Sequence, residues 1–458
     1  MASTARTEEI SEGRNRRHAV ARSDQAVWEP PPNRPDPVDV IDAQNRTRLA
    51  DLVPVRVGRM SQSPFAFLRG SALVMAHDLA ATADTGFTVQ VCGDAHVANF
   101  GLFASPERNL LFDVNDFDET DVGPWEWDVK RLCASAAVVA RQSGHQAGEQ
   151  REAARAAASS YRMHMAQYAG MGELDLWYAR VDAQAASKIL SSAGAAARAE
   201  VRADVRAARR HTAQAALPGL TALAPDGSRR IVDHPPLVSH EGVDDELLRA
   251  VASGHLASLP EDRRALVGRF EIVDYARKVV GVGSVGTRCF IGLLMDDIGL
   301  PLLLQVKEAD TSALAAVGAV APVPGRHVGA AGEGWRVVDG QRRMQAASDV
   351  FLGWASAEGV DYYLRQLRDM KGSIDAVSLA PAALADYAEL CGWVLARAHA
   401  RSAGGATAAR IAGYLGTSAT FDDAVSSFAL SYAEQNERDY AAFVAAIKSG
   451  RLSAETGG

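Results

Sequence analysis

Hydrophobic and polar positions along this chain change period several times, and each change predicts a different kind of element. From Val40 to Ala81 the apolar residues recur at helical spacing, as in Phe65, Leu68, Ala72 and Met75, with Ser63-Pro64 as a helix start. Val89-Gln90-Val91 then alternates like a short strand, and Leu110-Leu111-Phe112 reads as another. Trp125, Trp127 and Leu132 mark the opening of a buried helix, and alanine-rich runs over Ala134 to Met171 and Asp182 to Ala216 favour further helices. A turn-rich stretch between Leu217 and His240 predicts a hairpin, followed by helical patterns at Asp244 to Leu259 and around Arg263 to Ile272. Val279-Val280, Cys289 to Leu294 and Leu302 to Val306 read as strands, Asp310 to Val320 as helix-like, and Asp361 to Asp369 as a strand leading into a linker. Leu384 to Ala400 and Phe421 to Ile447 return to the helical period.

Polar residues interrupt these patterns where chemistry would use them. Gly93-Asp94-Ala95-His96 breaks the first strand, Asn99 follows Asp94 by five residues, and the strand at Leu110 delivers Asp113, Asp116 and Asp118. Phosphoryl-transfer enzymes use an Asp, an Asn five residues on and a second Asp after the next hairpin. The first carboxylate takes the acceptor proton, while the amide oxygen and second carboxylate hold magnesium, whose shell phosphates and waters complete. Far downstream, Gly281, Gly283, Ser284 and Gly286 lie between two strand-like runs instead of opening a helix, which favours a phosphate-covering hairpin over a dinucleotide loop. Lys307 ends the following apolar run, where it would place a point charge on the phosphates; a solvent-facing edge lysine is the bland reading.

Three sets of residues carry a resemblance. GDAHVANFG resembles the catalytic loop of aminoglycoside phosphotransferases and other kinase-like enzymes, NDFDE their magnesium-binding segment, and GPWEWDVKRL the helix opening that follows. The chain as a whole resembles the bacterial DUF2252 family through these motifs and RMSQSPFAFLRG, GVGSVGTR, LLLQVKEA and YYLRQLRDMKGS, which extend from Arg59 to Ser373. The resemblance implies an α+β, two-lobed protein-kinase-like fold with a large helical lobe. Asp94 precedes Lys307 here, the reverse of an ordinary kinase, so a circular permutation is expected. The corresponding organisation is a polar arm over 1–40, a large lobe over 41–265, a small nucleotide-binding lobe over 266–375 and helices over 376–458 returning to the large lobe.

The activity so implied is an ATP- and Mg-dependent phosphotransferase acting on a small-molecule hydroxyl or amine. Asp94 is its catalytic base, Asn99, Asp116 and Asp118 its metal ligands, and the glycine loop with Lys307 its nucleotide site. A protein acceptor, AMP transfer, a nucleotide-binding regulator and, last, a metallophosphoesterase are the alternatives. The lysine also needs a carboxylate partner: Glu308 points to the other face of its strand, leaving Glu333 and Asp339. Asp128 is expected to brace the catalytic loop, and Asp113 and His399 to be structural. His96 shapes the loop or takes part in catalysis. Arg56, Arg59 and Arg69 read as structural ion pairs, with phosphate contact as the alternative, and adenine could meet backbone groups in the linker after Asp361. This reading requires Lys307 and Asp116 to meet across one cleft.

Composition narrows the classes. At 458 residues the chain has ample material for a sizeable core, and 48% hydrophobic with 23% charged residues is ordinary for a globular protein. A net charge of −8 disfavours a general nucleic-acid binder. The four cysteines lack metal or disulfide spacing, and no run has the length of a membrane span or the character of a signal peptide, so a cytoplasmic protein with reduced thiols is expected. Arg14, Arg16 and Arg17 in the arm read as a solvated charge run, and His234, His240 and His255 lack any metal-ligand spacing.

Overall fold

Alanine-rich sequence packs here as long, closely set helices. Trp125–Gln142, Ala147–Ala169, Pro381–Leu415 and Thr420–Lys448 lie against one another and enclose the main apolar core. Trp125 sits at its centre, stacked on Tyr161 at 5.6 Å and tilted against Phe421 at 5.4 Å. The computed structural model describes residues 2–190, 203, 205–225, 227–321, 328–367 and 369–455. Residues 191–202 and 204 of the second alanine-rich run, together with Asp226 of the expected hairpin and Arg368, lie outside those residues.

Two small antiparallel pairs are set against the helices. Strand β1 (Thr88–Val91) pairs with β4 (Asp121–Pro124), and β2 (Phe100–Ala104) forms a hairpin with β3 (Leu110–Val114). Arg229–Ile231 pairs with Thr221–Leu223, which confirms a hairpin in the turn-rich stretch. Six later strands form the second layer: β7 (Val238–Ser239), β8 (Glu271–Lys278), β9 (Cys289–Met295), β10 (Pro301–Ala309), β11 (Gly353–Ala357) and β12 (Val360–Gln366), where β5 and β6 denote Thr221–Leu223 and Arg229–Ile231. Their order is β11-β12-β10-β9-β8-β7, and every neighbouring pair is antiparallel. The fold is therefore mixed α+β with a helical lobe.

Register decides which residues share a face of this sheet. Lys307 pairs with both Tyr363 and Cys289, and Gln305 with Arg365, so these side chains fall on the face toward the helical lobe. The alternate residues Val306, Leu364 and Phe290 pack outward under Leu248 and Val251 of helix Asp245–Ser258. Farther along the inner face, Ile291, Leu293 and Leu303 are covered by Ala213 and Leu217 of helix Ala213–Leu220.

Several local expectations change. The helix expected around Arg263 to Ile272 is Glu261–Val267 only, because Gly268 caps it and β8 begins at Glu271. The helix-like run after Asp310 shrinks to Ala313–Ala316. The polar arm is packed: helix Ala2–Arg16 lies along Pro381–Leu415. Arg17 Nε donates to Tyr414 O at 2.8 Å and Arg22 Nη1 to Leu415 O at 2.8 Å, so these cations satisfy helix-end carbonyls instead of lying in solvent. Among the described residues no helix is long and apolar enough to cross a membrane.

Candidate functional site

The loop between β1 and β2 carries Asp94, and its shape is imposed by buried side chains. Gly93 has φ +78°, and a Cβ there would lie 2.1 Å from Glu119 O, so glycine alone fits. Asp128, in the first turn of helix Trp125–Gln142, accepts from Cys92 N at 2.7 Å and Gly93 N at 3.0 Å. His399 Nε2 lies 3.1 Å from the same carboxylate, and its Nδ1 meets Tyr161 OH at 2.9 Å. Both residues are buried and hold the loop from beneath, as expected. Val97 N donates to Ser135 Oγ at 3.0 Å, and Asn115 N donates to Asn99 O at 3.0 Å, which ties this loop to the one carrying Asp116.

Asp94 is held by a residue the sequence reading passed over. Arg131 Nη2 and Nε lie 2.6 and 2.7 Å from Asp94 Oδ1, and Nη2 also donates to Leu68 O at 2.8 Å. Oδ2 is left without a hydrogen bond among the described residues, 3.6 Å from His96 Nε2. A signal was available, since Arg131 follows Asp128 by three residues on the same helical face. Burial lowers the His96 pKa to about 3, so its imidazole is neutral, and its Nδ1 is buried without a partner. Burial pushes the Cys92 thiol well up, which makes it a poor nucleophile, and all four cysteines are free and buried.

Lys307 reaches the acidic loop from the opposite layer. Its Nζ is ion-paired with Asp118 and lies 3.8 Å from Asp116 Oδ1. Asp118 also accepts from Ser284 Oγ at 2.9 Å and from Tyr363 OH at 2.5 Å. Burial raises the Asp118 pKa, but the Lys307 charge and these hydrogen bonds outweigh it and hold the carboxyl well below its usual range. Asp116 is shifted up, first by burial and then by the Asp118 charge. Neither expected partner serves the lysine: Glu333 pairs with Arg336, and Asp339 with Arg343. Glu308 pairs with Arg288 on the other face, as its strand position requires. Arg336 itself donates to Asp118 O at 3.0 Å and Asp310 O at 2.7 Å, joining the acidic loop to the end of β10. Asp113 is structural, paired with the buried Arg397 at 2.5 Å.

The glycine loop roofs the space between these groups. Asp94, Asn99, Asp116, Asp118, Gly281, Gly283 and Ser284 all line one cleft of about 840 Å³ including its open mouth, and Arg48 and Arg69 form part of its wall. The roof is attached to the early chain: Leu49 N donates to Gly286 O at 2.8 Å, Arg48 Nη1 to Val285 O at 2.5 Å and Arg59 Nη1 to Gly281 O at 2.6 Å. Arg56 is buried and donates to Gln44 Oε1 at 2.7 Å and Gly70 O at 2.9 Å. Among the described residues, Arg56, Arg59 and Arg69 form no ion pair, contrary to the structural reading of that trio.

The fit of a hard cation can be judged from the oxygens. Asp116 Oδ1 is buried without a hydrogen-bond partner, and Asn99 Nδ2 is committed to Asp94 O at 2.7 Å, which leaves the amide oxygen as its remaining polar atom. These two oxygens suit magnesium, completed by phosphates and water. Asp118 fits less well, because three donors already occupy it. Among the described residues no group of three or more His, Cys, Asp or Glu side chains is arranged to hold a metal by itself. Three described donors of the linker after β12 are engaged: Leu367 N donates to Leu303 O at 2.9 Å, Met370 N to His211 O at 2.8 Å and Gly372 N to Leu102 O at 3.0 Å.

One family model matches, over residues 48–446: DUF2252, described as an uncharacterised protein conserved in bacteria. No curated protein and no solved structure matches the chain significantly.

Proposed function

The chain belongs to the DUF2252 family, and from that premise we propose that it is an ATP- and Mg-dependent phosphotransferase with a circularly permuted, two-lobed kinase-like arrangement. The observation that carries the reading is the meeting of Lys307 with Asp116 at 3.8 Å, under a glycine loop that comes from the same late part of the chain. Asp94, Asn99, Asp116, Asp118 and the glycine loop line one cleft, with Lys307 ion-paired to Asp118, an arrangement suited to positioning and electrostatic stabilisation of a phosphoryl group.

Asp94 receives the acceptor proton at Oδ2 while Arg131 fixes its other oxygen. The acceptor oxygen or nitrogen forms its bond to the terminal phosphorus of ATP, the bond from that phosphorus to the bridging oxygen breaks, and ADP departs. Neutral His96 beside Asp94 adds no competing charge. Lys307, released from Asp118, supplies positive charge to the phosphates, and the glycine-loop amides approach them from above. Asn99 and Asp116 would hold magnesium, which when bound neutralises charge on the phosphate oxygens.

A second reading, transfer of AMP, is favoured by one observation: Leu367 N, Met370 N and Gly372 N, in the linker expected to meet adenine in the ordinary pose, are engaged with protein. Purified protein incubated with Mg·ATP labelled at the γ or α position, together with a metabolite extract, separates the two. Label transferred from the γ position is expected; transfer from α alone replaces phosphotransfer with nucleotidyl transfer, and binding with neither leaves a regulator.

A further inference from the structure

Arg69 is the cleft arginine without a partner. It ends helix Pro64–Gly70, whose start is set by Ser63 Oγ accepting from Ala66 N at 3.1 Å, and it lines the cleft beside Asp94 and Asp116. Its Nε is buried without a partner, and its side chain makes no hydrogen bond or ion pair among the described residues. Other buried arginines are committed: Arg131 to Asp94 and Leu68 O, Arg336 to Glu333 and three backbone carbonyls, Arg397 to Asp113 and Met344 O. Arg48 resembles Arg69 in part, since its Nη1 holds the glycine loop while its Nε is also buried and unpaired.

Three of the cleft carboxylates have a counter-ion other than Arg69. Asp94 has Arg131, Asp118 has Lys307 and Glu308 has Arg288. A buried Nε with no partner is costly, and the half-buried guanidinium that carries it keeps a planar fork matching two oxygens of a tetrahedral oxyanion. His96 lines the same cleft.

We propose that Arg69, on a cleft wall that Arg48 also lines, forms an oxyanion station that takes a phosphate group next to Asp94. The proposal deepens the phosphotransferase reading and rests on it for the identity of the group: the terminal phosphate of the donor, or an anionic group on the acceptor. Arg69 is then a substrate-contacting residue within the RMSQSPFAFLRG motif.

Calorimetric titrations of the full chain with Mg·ATP, Mg·ADP and inorganic phosphate test it, using wild type, Arg69→Met, Arg69→Lys and Arg48→Met. Arg69→Met is expected to weaken one oxyanion by about 10- to 100-fold, the loss that follows removal of charge-assisted hydrogen bonds, with an unchanged unfolding temperature. A loss for Mg·ATP with Mg·ADP unaffected identifies the donor phosphate. A loss confined to inorganic phosphate added to the Mg·ADP complex identifies the acceptor group. Arg69→Lys keeps the charge without the fork and is expected to fall between, and Arg48→Met provides the second variant should Arg69→Met not fold. Wild-type affinities in folded Arg69→Met and Arg48→Met overturn the station. If wild type binds no nucleotide, the phosphotransferase reading fails, and the phosphate titration alone judges the station: retained binding in Arg69→Met, or none in wild type, overturns it.

Discussion

The floor and the roof of the cleft are built in opposite ways. Beneath, the Gly93–Asn99 loop has its amides and carbonyls tied to buried side chains, Asp128, Ser135 and Tyr387 among them. Above, the Gly281–Thr287 loop is held by Ser284, by three bonds from residues 48–59 and by an apolar anchor, Val285, buried against Leu52 and Val55. Buried polar networks rigidify, whereas a loop held by an apolar anchor and a few hydrogen bonds opens at lower free-energy cost. The contrast suits a site whose base must stay in register while its cover admits and releases a ligand.

The largest expected effect is on chemistry at the floor. Asp94→Asn keeps the shape but cannot accept the acceptor proton, so phosphoryl transfer should fall by about 10²- to 10⁴-fold while Mg·ATP affinity stays near wild type. Full transfer activity in that variant would remove Asp94 from the mechanism. Asp128→Ala should be the most destabilising change, by roughly 3–5 kcal/mol in chemical denaturation, because Cys92 N, Gly93 N and His399 all lose a buried acceptor.

Two glycines with positive φ sharpen the comparison. Gly93→Ala adds a Cβ onto Glu119 O, so its cost should exceed the strain of about 1–3 kcal/mol that an unfavourable φ alone produces. Gly281, at φ +64°, has open space around its Cβ position, so Gly281→Ala should show only the backbone strain, near the lower end of that range. Equal losses of unfolding free energy at the two positions would show that floor and roof are equally braced.

Smaller effects follow at the edges. Arg59→Met frees Gly281 O and should leave stability within about 0.5 kcal/mol while speeding nucleotide exchange in stopped-flow measurements. In the linker, burial lowers the Lys371 pKa to about 7 from 10.5. Its folded-state pKa is depressed, so unfolding takes up a proton between these values and stability falls as pH falls from 10.5 through 7. Lys371→Met should flatten that slope, which is at most about 1.4 kcal/mol per pH unit for one group. An unchanged slope would mean that the buried lysine retains its proton.

Much of the site was legible because its residues are local in sequence. Asp94 and Asn99 follow the alternating run Val89-Gln90-Val91, Asp116 follows the apolar run Leu110-Leu111-Phe112, and Asp128 lies where the tryptophan-rich helix opens. The alternation along β10 also separates Lys307 from Glu308. What escaped is what depends on distant partners. Arg131 and Arg69 are ordinary helix residues until Asp94 is brought beside them, and the lysine's carboxylate came from the acidic loop, outside the segment where a helix was expected to supply it. The end of the helix near Ile272 was missed because a short apolar run fits either period.

By itself, the order of residues determined the periods of helix and strand, the glycines able to take positive φ, and the local spacing of the acidic groups, because these follow from backbone sterics and side-chain direction. Only the tertiary structure decided which carboxylate neutralises which cation. Asp118 is 189 residues from Lys307, and no local pattern encodes the packing of sheet against helices that closes that distance. Ion pairing is a property of three-dimensional proximity and burial, and both arise when the two layers meet.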